Sequence, residues 1–304
     1  MVKMGLHILR TTIAVEADKS GILPSFPLPV EVPSLLTDFR SVDLIAPPRR
    51  PDGSIVIEDR PGRPSGRLSG RRARFRGPFL RLAREASDAR YGFWGNQGFL
   101  YRFALRLLEE RRRTYSFHAA ALVDERGPVL YVVIGGAGSG KTVFLLSGLS
   151  RGLKLFSTET VHFRFESGAI RWDKGSLVDN VRLGTLVHDF PQFLPPGIPS
   201  AWTQDLPAGK IALDLGTFAS AADRLHNPAV VFLLPRIEED RRDHVRRSLE
   251  EPRPAAKAFF DNISQKISES FVLYDRLALP GLDTPGLAAS RLKAAYRLAA
   301  HPSV

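Results

Sequence analysis

Gly135, Gly140, Lys141 and Thr142 stand at the spacing G-x-x-x-x-G-K-[ST] within "GGAGSGKT". Glycines placed this way let successive backbone N–H groups turn toward one anion, the lysine reaches the β and γ phosphates, and the hydroxyl ligates Mg²⁺. The residues expected to cradle a nucleotide are therefore Gly135, Gly136, Ala137, Gly138, Ser139, Gly140, Lys141, Thr142 and Val143. A phosphate loop alone moves no phosphoryl group. A second metal ligand is needed, together with a group that orients or deprotonates a nucleophile, and both belong at the ends of neighbouring strands. The polar run "STET", Ser157 to Thr160, occupies such a place.

The elements that must position these residues follow from pattern. The apolar run in "VLYVVIGG" reads as an interior strand before the loop. "TVFLLSGLSRG" reads as the helix after it, with Gly152 as its C-terminal cap, and "LKLFST" as the next strand. Upstream, "SFHAAALVDERGPVLYVVIGG" holds two strands around a turn at "DERGP". Downstream, "GAIRWDKGSLV", "KIALDL" and "AVVFLLPRI" are further strand candidates. The Pro-rich "FPQFLPPGIPSAWTQDLPAG" suits a lid or connecting loop, and the chain from Arg242 is mostly helical in pattern, "AASRLKAAYRLAA" being plainly amphipathic. Before the loop, "GLHILRTTIAV" and "SIVIED" are short β-like runs broken by Pro and Gly. They predict a small mixed or β-rich region over 1–89 ahead of a P-loop domain over 90–304. A helix from Gly98, "GFLYRFALRLLEERRRTY", is expected to pack on the sheet that follows it.

Three features, His118 on the strand ahead of the loop, Arg151 and Gly152 at the end of the loop's helix, and an acid after the next short strand, span about 47 residues from Phe117 to Phe163. This stretch resembles the HPr kinase/phosphorylase family, whose P-loop domain is related to phosphoenolpyruvate carboxykinase. The resemblance implies an α/β fold with a mixed sheet, ATP or another NTP with Mg²⁺, and transfer of the γ-phosphate to a hydroxyl of a small molecule or a protein serine. It places the metal-holding acid of the family's acidic pair on Glu159 and the other acid, the base toward the hydroxyl, on Thr158. Threonine has no acid–base pKa for that work near neutral pH. Glu159 as both ligand and base, His118 and His162 are the alternatives left for the base. The catalytic set is then Lys141, Glu159 and His118, and the metal set Thr142 and Glu159. The family's hexamers make a homo-oligomer an expectation of the resemblance. A P-loop NTPase or nucleotide-regulated binding protein with no phosphoacceptor is the alternative.

Other residues compete for roles. Asp214, at the end of "KIALD", has the form of an Mg²⁺-holding acid after an apolar strand, and Lys210 before it could meet an anion. Arg246 or Arg247 could act as an arginine finger. Trp94, Asn96 and Gln97 in "YGFWGNQGFLYRF" suit either a helix start with packed aromatics or a substrate wall.

Composition bounds the rest. The 304 residues contain no cysteine, which excludes disulfides, thiolate zinc sites and cysteine nucleophiles. No signal-peptide or membrane-span pattern is present, so a soluble cytoplasmic protein without a membrane partner is expected. The formal net charge of +11 is concentrated in "RPGRPSGRLSGRRARFRG", Arg60 to Gly77, where Pro and Gly predict a loop or mobile arm. Without a zinc-finger, RNP or KH-type signature, a nucleic-acid reader is not expected.

Overall fold

The computed structural model describes residues 1–23, 39, 42–136, 138–197, 209–237, 247–248 and 251–304. The chain is mixed α/β and divides into two compact units, Met1–Tyr115 with Ser264–Arg291 and Ser116–Ile263 with Leu292–Val304.

The first unit is built on strands β1 (Val2–Ile8), β2 (Thr11–Ala17), β3 (Val42–Ile45), β4 (Gly53–Asp59), β5 (Ser65–Ser69) and β6 (Arg72–Gly77), in the order β3-β1-β2-β4-β6-β5. β2 and β6 run parallel to β4, and the remaining pairs are antiparallel. Strand β2 alternates buried and half-buried along its whole length, the period-2 signature of one face turned to a core. Helices α1 (Phe79–Glu85) and α2 (Phe99–Arg112) belong to this unit. Helix α2 packs on the sheet of its own unit. Its Phe103 and Leu107 lie on Gly53 of β4 so closely that a Cβ there would stand 2.6 Å from Leu107 Cδ1. The boundary expected at 89/90 falls at 115/116, and the C-terminal stretch Ser264–Arg291, with the hairpin β16 (Phe271–Leu273) and β17 (Leu277–Leu279), returns to the same unit.

Of the two readings of this stretch, Gly92 to Phe103 is the helix start with packed aromatics, not a substrate wall, and Tyr91 ahead of it is exposed. Phe75 meets Phe93 and Phe99 edge to face at 4.8 and 4.7 Å, Trp94 Nε1 donates to Ile22 O at 2.9 Å, and Gln97 Oε1 accepts from Lys266 Nζ at 2.9 Å. The basic run is not a loose arm either, because Ser65–Ser69 and Arg72–Gly77 pair as an antiparallel hairpin whose second strand also pairs with β4. Buried Ala73, Phe75 and Gly77 alternate with the arginines and supply the apolar face that Pro and Gly obscured.

The second unit carries β7 (Tyr115–Asp124), β8 (Val129–Ile134), β9 (Lys154–Ser157), β10 (Thr160–Glu166), β11 (Ala169–Asp173), β14 (Arg224–His226) and β15 (Ala229–Leu233). Their order is β14-β11-β10-β7-β8-β15, with β9 also on β7; β8 runs antiparallel to β7 and parallel to β15. The central strand β7 divides two cores by alternation. Phe117 packs with Phe163, Phe232 and Phe259, whereas Ala120 and Leu122 pack with Leu145, Leu146 and Leu149 of helix α3 (Lys141–Ser150). A second small sheet pairs β12 (Val178–Arg182) with β13 (Lys210–Asp214). Helices α4 (Pro252–Ser268) and α5 (Pro285–Ala299) complete the described elements, and each contains one boundary between units.

The first unit also encloses an ion pair. Wholly buried Arg291 donates from Nη1 to Glu109 Oε2 at 2.9 Å and from Nε to Ser264 Oγ at 3.2 Å, and it pairs with Asp283. Removing one partner strands the other charge in a medium that cannot solvate it. Arg291→Met is expected to cost about 3–5 kcal/mol of unfolding free energy, read from the denaturant midpoint.

Candidate functional site

The strand-loop-helix arrangement expected around Gly135 to Thr142 is present, with β8 leading in and α3 leading out. Gly140 caps the helix with φ 101°, a left-handed conformation that a side chain would strain, and so aims the first turn of α3 at the loop. Lys141 Nζ donates to Gly135 O at 2.8 Å and to Gly136 O at 3.0 Å, which holds the ammonium over the loop's own turn. Ala137 lies outside the described residues. At the far end of the helix Gly152, with φ 87°, donates its N–H to Leu149 O, as its reading as a cap requires.

The polar stretch after β9 is a bend closed by Ser157, whose Oγ donates to Thr160 O at 2.7 Å and accepts from Thr160 N at 3.2 Å. Within it Thr158 is buried and serves structure. Its N–H donates to Ser176 O at 2.9 Å, and its Oγ1 to Val178 O at 2.7 Å and Ser176 O at 3.2 Å. Those bonds lash residues 176–178 to the bend. Gly175 makes the approach feasible, since a Cβ there would stand 1.5 Å from Thr160 O.

The residue delivered by this lashing is Asp179, at the start of β12. Its Oδ2 accepts the Thr142 hydroxyl at 3.1 Å, and its carboxyl is within hydrogen-bonding reach of Glu159. Burial pushes the Asp179 carboxyl up to about 7, with the negative charge of Glu159 adding to the effect and the Thr142 bond opposing it. Glu159 in turn sits 3.2 Å from His118 Nε2. His118 shares the face of β7 that carries Ala120 and Leu122, and Asn262 of α4 holds its main chain, accepting from His118 N at 2.9 Å and donating to His118 O at 3.1 Å. Lys141, Thr142, Glu159 and His118 thus fall in one region of the second unit, and Asp179 is the member that sequence reasoning missed. No local pattern marks it: Asp179 opens "DNVRLG", which matches no spacing rule relative to the loop.

Other candidates go elsewhere. His162 alternates away from Val161 and Phe163, but its ring is wholly enclosed, its Nδ1 is 2.7 Å from Ser116 Oγ, and burial holds it neutral down to about 3. Asp214 is exposed and accepts Gly216 N at 2.8 Å, closing a turn, and Lys210 is exposed at the start of the same strand. Arg247 is exposed, whereas Arg246 and most of the Pro-rich stretch, 198–208, lie outside the described residues.

Two carboxylates and a hydroxyl make part of the all-oxygen shell that Mg²⁺ takes up together with phosphate oxygens and water. Among the described residues no three histidines, cysteines or carboxylates converge as a self-sufficient metal cage. Burial first, and then the neighbouring Glu159 charge, holds Asp179 up; a cation would offset both, so the donor set fits an ion shared with phosphates. No helix is long and apolar enough to cross a membrane among the described residues. Compared with known proteins, the chain matches no protein-family model and no curated protein sequence.

Two outcomes follow from these contacts. Thr158→Asp, which restores an acid to the position by type, sets a carboxylate against the Ser176 and Val178 carbonyls and is expected to cost at least about 1–3 kcal/mol, whereas Thr158→Ser retains the donor; paired thermal melts measure both. For His162, the unfolded ring takes a proton below its ordinary value near 6.5 while the folded ring does not until about 3. Its contribution is therefore intact above pH 6.5 and is lost as the pH falls through that window, at up to about 1.4 kcal/mol per pH unit. Stability measured from pH 7 to 4 should fall less steeply in His162→Gln.

Proposed function

We propose that the chain binds a nucleoside triphosphate with Mg²⁺ and transfers the γ-phosphate to a hydroxyl of a small molecule or a protein serine, as an HPr kinase-like P-loop protein. The observation that carries this reading is the meeting of Thr142, Asp179 and Glu159 beside the first turn of α3. The resemblance expects two acids beside the phosphate loop, and this arrangement offers two, one from the bend and one from β12.

In this reading the backbone N–H groups at the start of α3 and the helix dipole hold the phosphates. Lys141 Nζ exchanges its bonds to Gly135 O and Gly136 O for bonds to the β and γ phosphates. Mg²⁺, when bound, neutralises charge on those phosphates. Thr142 Oγ1, Glu159 and Asp179 would supply the protein's oxygen donors to it. The acceptor hydroxyl oxygen forms its bond to the γ phosphorus as the bond to the bridging oxygen breaks, and the electron pair leaves with the nucleoside diphosphate. The hydroxyl proton passes to a carboxylate oxygen of the Glu159–Asp179 pair, because Thr158 already spends its hydroxyl on carbonyls. His118, 3.2 Å from Glu159, orients that carboxylate.

The test is incubation with γ-labelled ATP, Mg²⁺ and a cell extract of metabolites and proteins. Label on an organic acceptor supports the kinase; label only in inorganic phosphate supports the NTPase alternative. Glu159→Gln and Asp179→Asn are each expected to lower transfer by about 10²-fold or more, with nucleotide binding retained. Unchanged nucleotide affinity in Lys141→Ala would overturn the reading at its root.

A further inference from the structure

The stretch from Arg60 to Gly77 holds seven arginines and no carboxylate. Pairing of β5 with β6 turns this composition into a surface. Arg72, Arg74 and Arg76 are exposed on β6, alternating with buried Ala73, Phe75 and Gly77, and Arg67 of β5 stands directly opposite Arg74. Residues opposed in an antiparallel pair share a face, as do residues two apart on one strand, so the four guanidinium groups point the same way. Arg71 is engaged, donating to Asp52 O at 3.1 Å and facing Glu110 at 3.9 Å. Among the described residues, Arg67, Arg72, Arg74 and Arg76 have no carboxylate partner. Glu58 stands beside Arg76 in the register with β4, at the border of the patch.

Like charges placed directly across a strand pair destabilise it by up to about 1 kcal/mol. Arg67 opposite Arg74 is thus a local cost that a bound anion would remove. We propose that this hairpin face binds the phosphate backbone of a nucleic acid, without reading its sequence. Three features select that occupant. Arginines two apart on a strand repeat about every 6.6–6.8 Å, a regular line of cations that suits a regular line of anions. Guanidinium groups pair with phosphate oxygens through two parallel hydrogen bonds. The face of the hairpin, Ser65, Arg67, Ser69, Arg72, Arg74 and Arg76, contains no aromatic or aliphatic side chain. It therefore lacks the apolar centre of a protein interface and the apolar face that enters a membrane. It likewise has no group that reads base edges, which agrees with the missing reader signatures.

The full chain is titrated against fluorescently labelled random 25-mers, single-stranded and duplex, between 50 and 300 mM salt, and binding is followed by anisotropy. Four phosphate contacts predict a slope of log affinity against log salt of about −3 to −4, equal for unrelated sequences. In Arg67→Gln/Arg74→Gln the affinity at low salt is expected to fall at least about tenfold and the slope to shrink by about 1.5–2. A control with the same charge change in the other unit, Lys154→Gln/Lys293→Gln, should leave both unchanged. Relief of the opposed charges predicts no fall in melting temperature; should the double variant melt early, Arg72→Gln and Arg76→Gln make the same comparison singly. No binding at 50 mM salt, an equal loss in the control, or arginine-dependent capture by phosphatidylserine vesicles with none by either DNA would each overturn the proposal.

Discussion

The hydroxyl of Thr158 faces two carbonyl oxygens, and the candidate site depends on that clasp. With its own N–H bonded to Ser176 O, Thr158 fixes residues 176–178 against the bend after β9, so that the next residue, Asp179, arrives at Thr142. Only a hydrogen-bond donor of this size satisfies the position, because both partners are acceptors. Gly175 is tied to the same constraint from the other side, its missing Cβ leaving room for the Thr160 carbonyl. The position that the family resemblance assigns to a proton acceptor is thus a fastening, and the second carboxylate comes from the strand it fastens.

Electrostatics in the second unit follow from this geometry. Burial raises Asp179, and the charge of Glu159 adds to it, because two carboxyls brought together with little water cannot both ionise freely. His118 sits on the other side of Glu159, and its backbone is held at both N and O by Asn262. His162 illustrates the contrary case: with the same residue type and almost the same place in the sheet, full burial keeps it neutral and leaves it a core residue.

What the sequence made legible was local. The strand and helix flanking the glycine-rich loop, the cap at Gly152, and strands such as β4, β11 and β13 are each written in a few consecutive residues. Glu159 could be found by its distance along the chain from Lys141. Asp179 could not, since its place beside Thr142 is set by β12 folding back on the bend, and nothing in "DNVRLG" encodes that pairing. The same limit explains α2, whose apolar spacing does not show that Phe99 through Glu109 are buried all round. It also explains the arginine hairpin, where Gly and Pro outweighed the short alternation of Ala73, Phe75 and Gly77.

Thr142 donates its single hydroxyl proton to Asp179, so the lone pairs of that oxygen are turned away from the carboxylate. A β-branched side chain has few χ1 choices in a helix, and threonine is stiffer here than serine would be. The direction in which this oxygen offers its electrons is therefore set by covalent branching and one hydrogen bond before any ligand arrives. The rotational entropy of choosing that direction is surrendered during folding and not during binding.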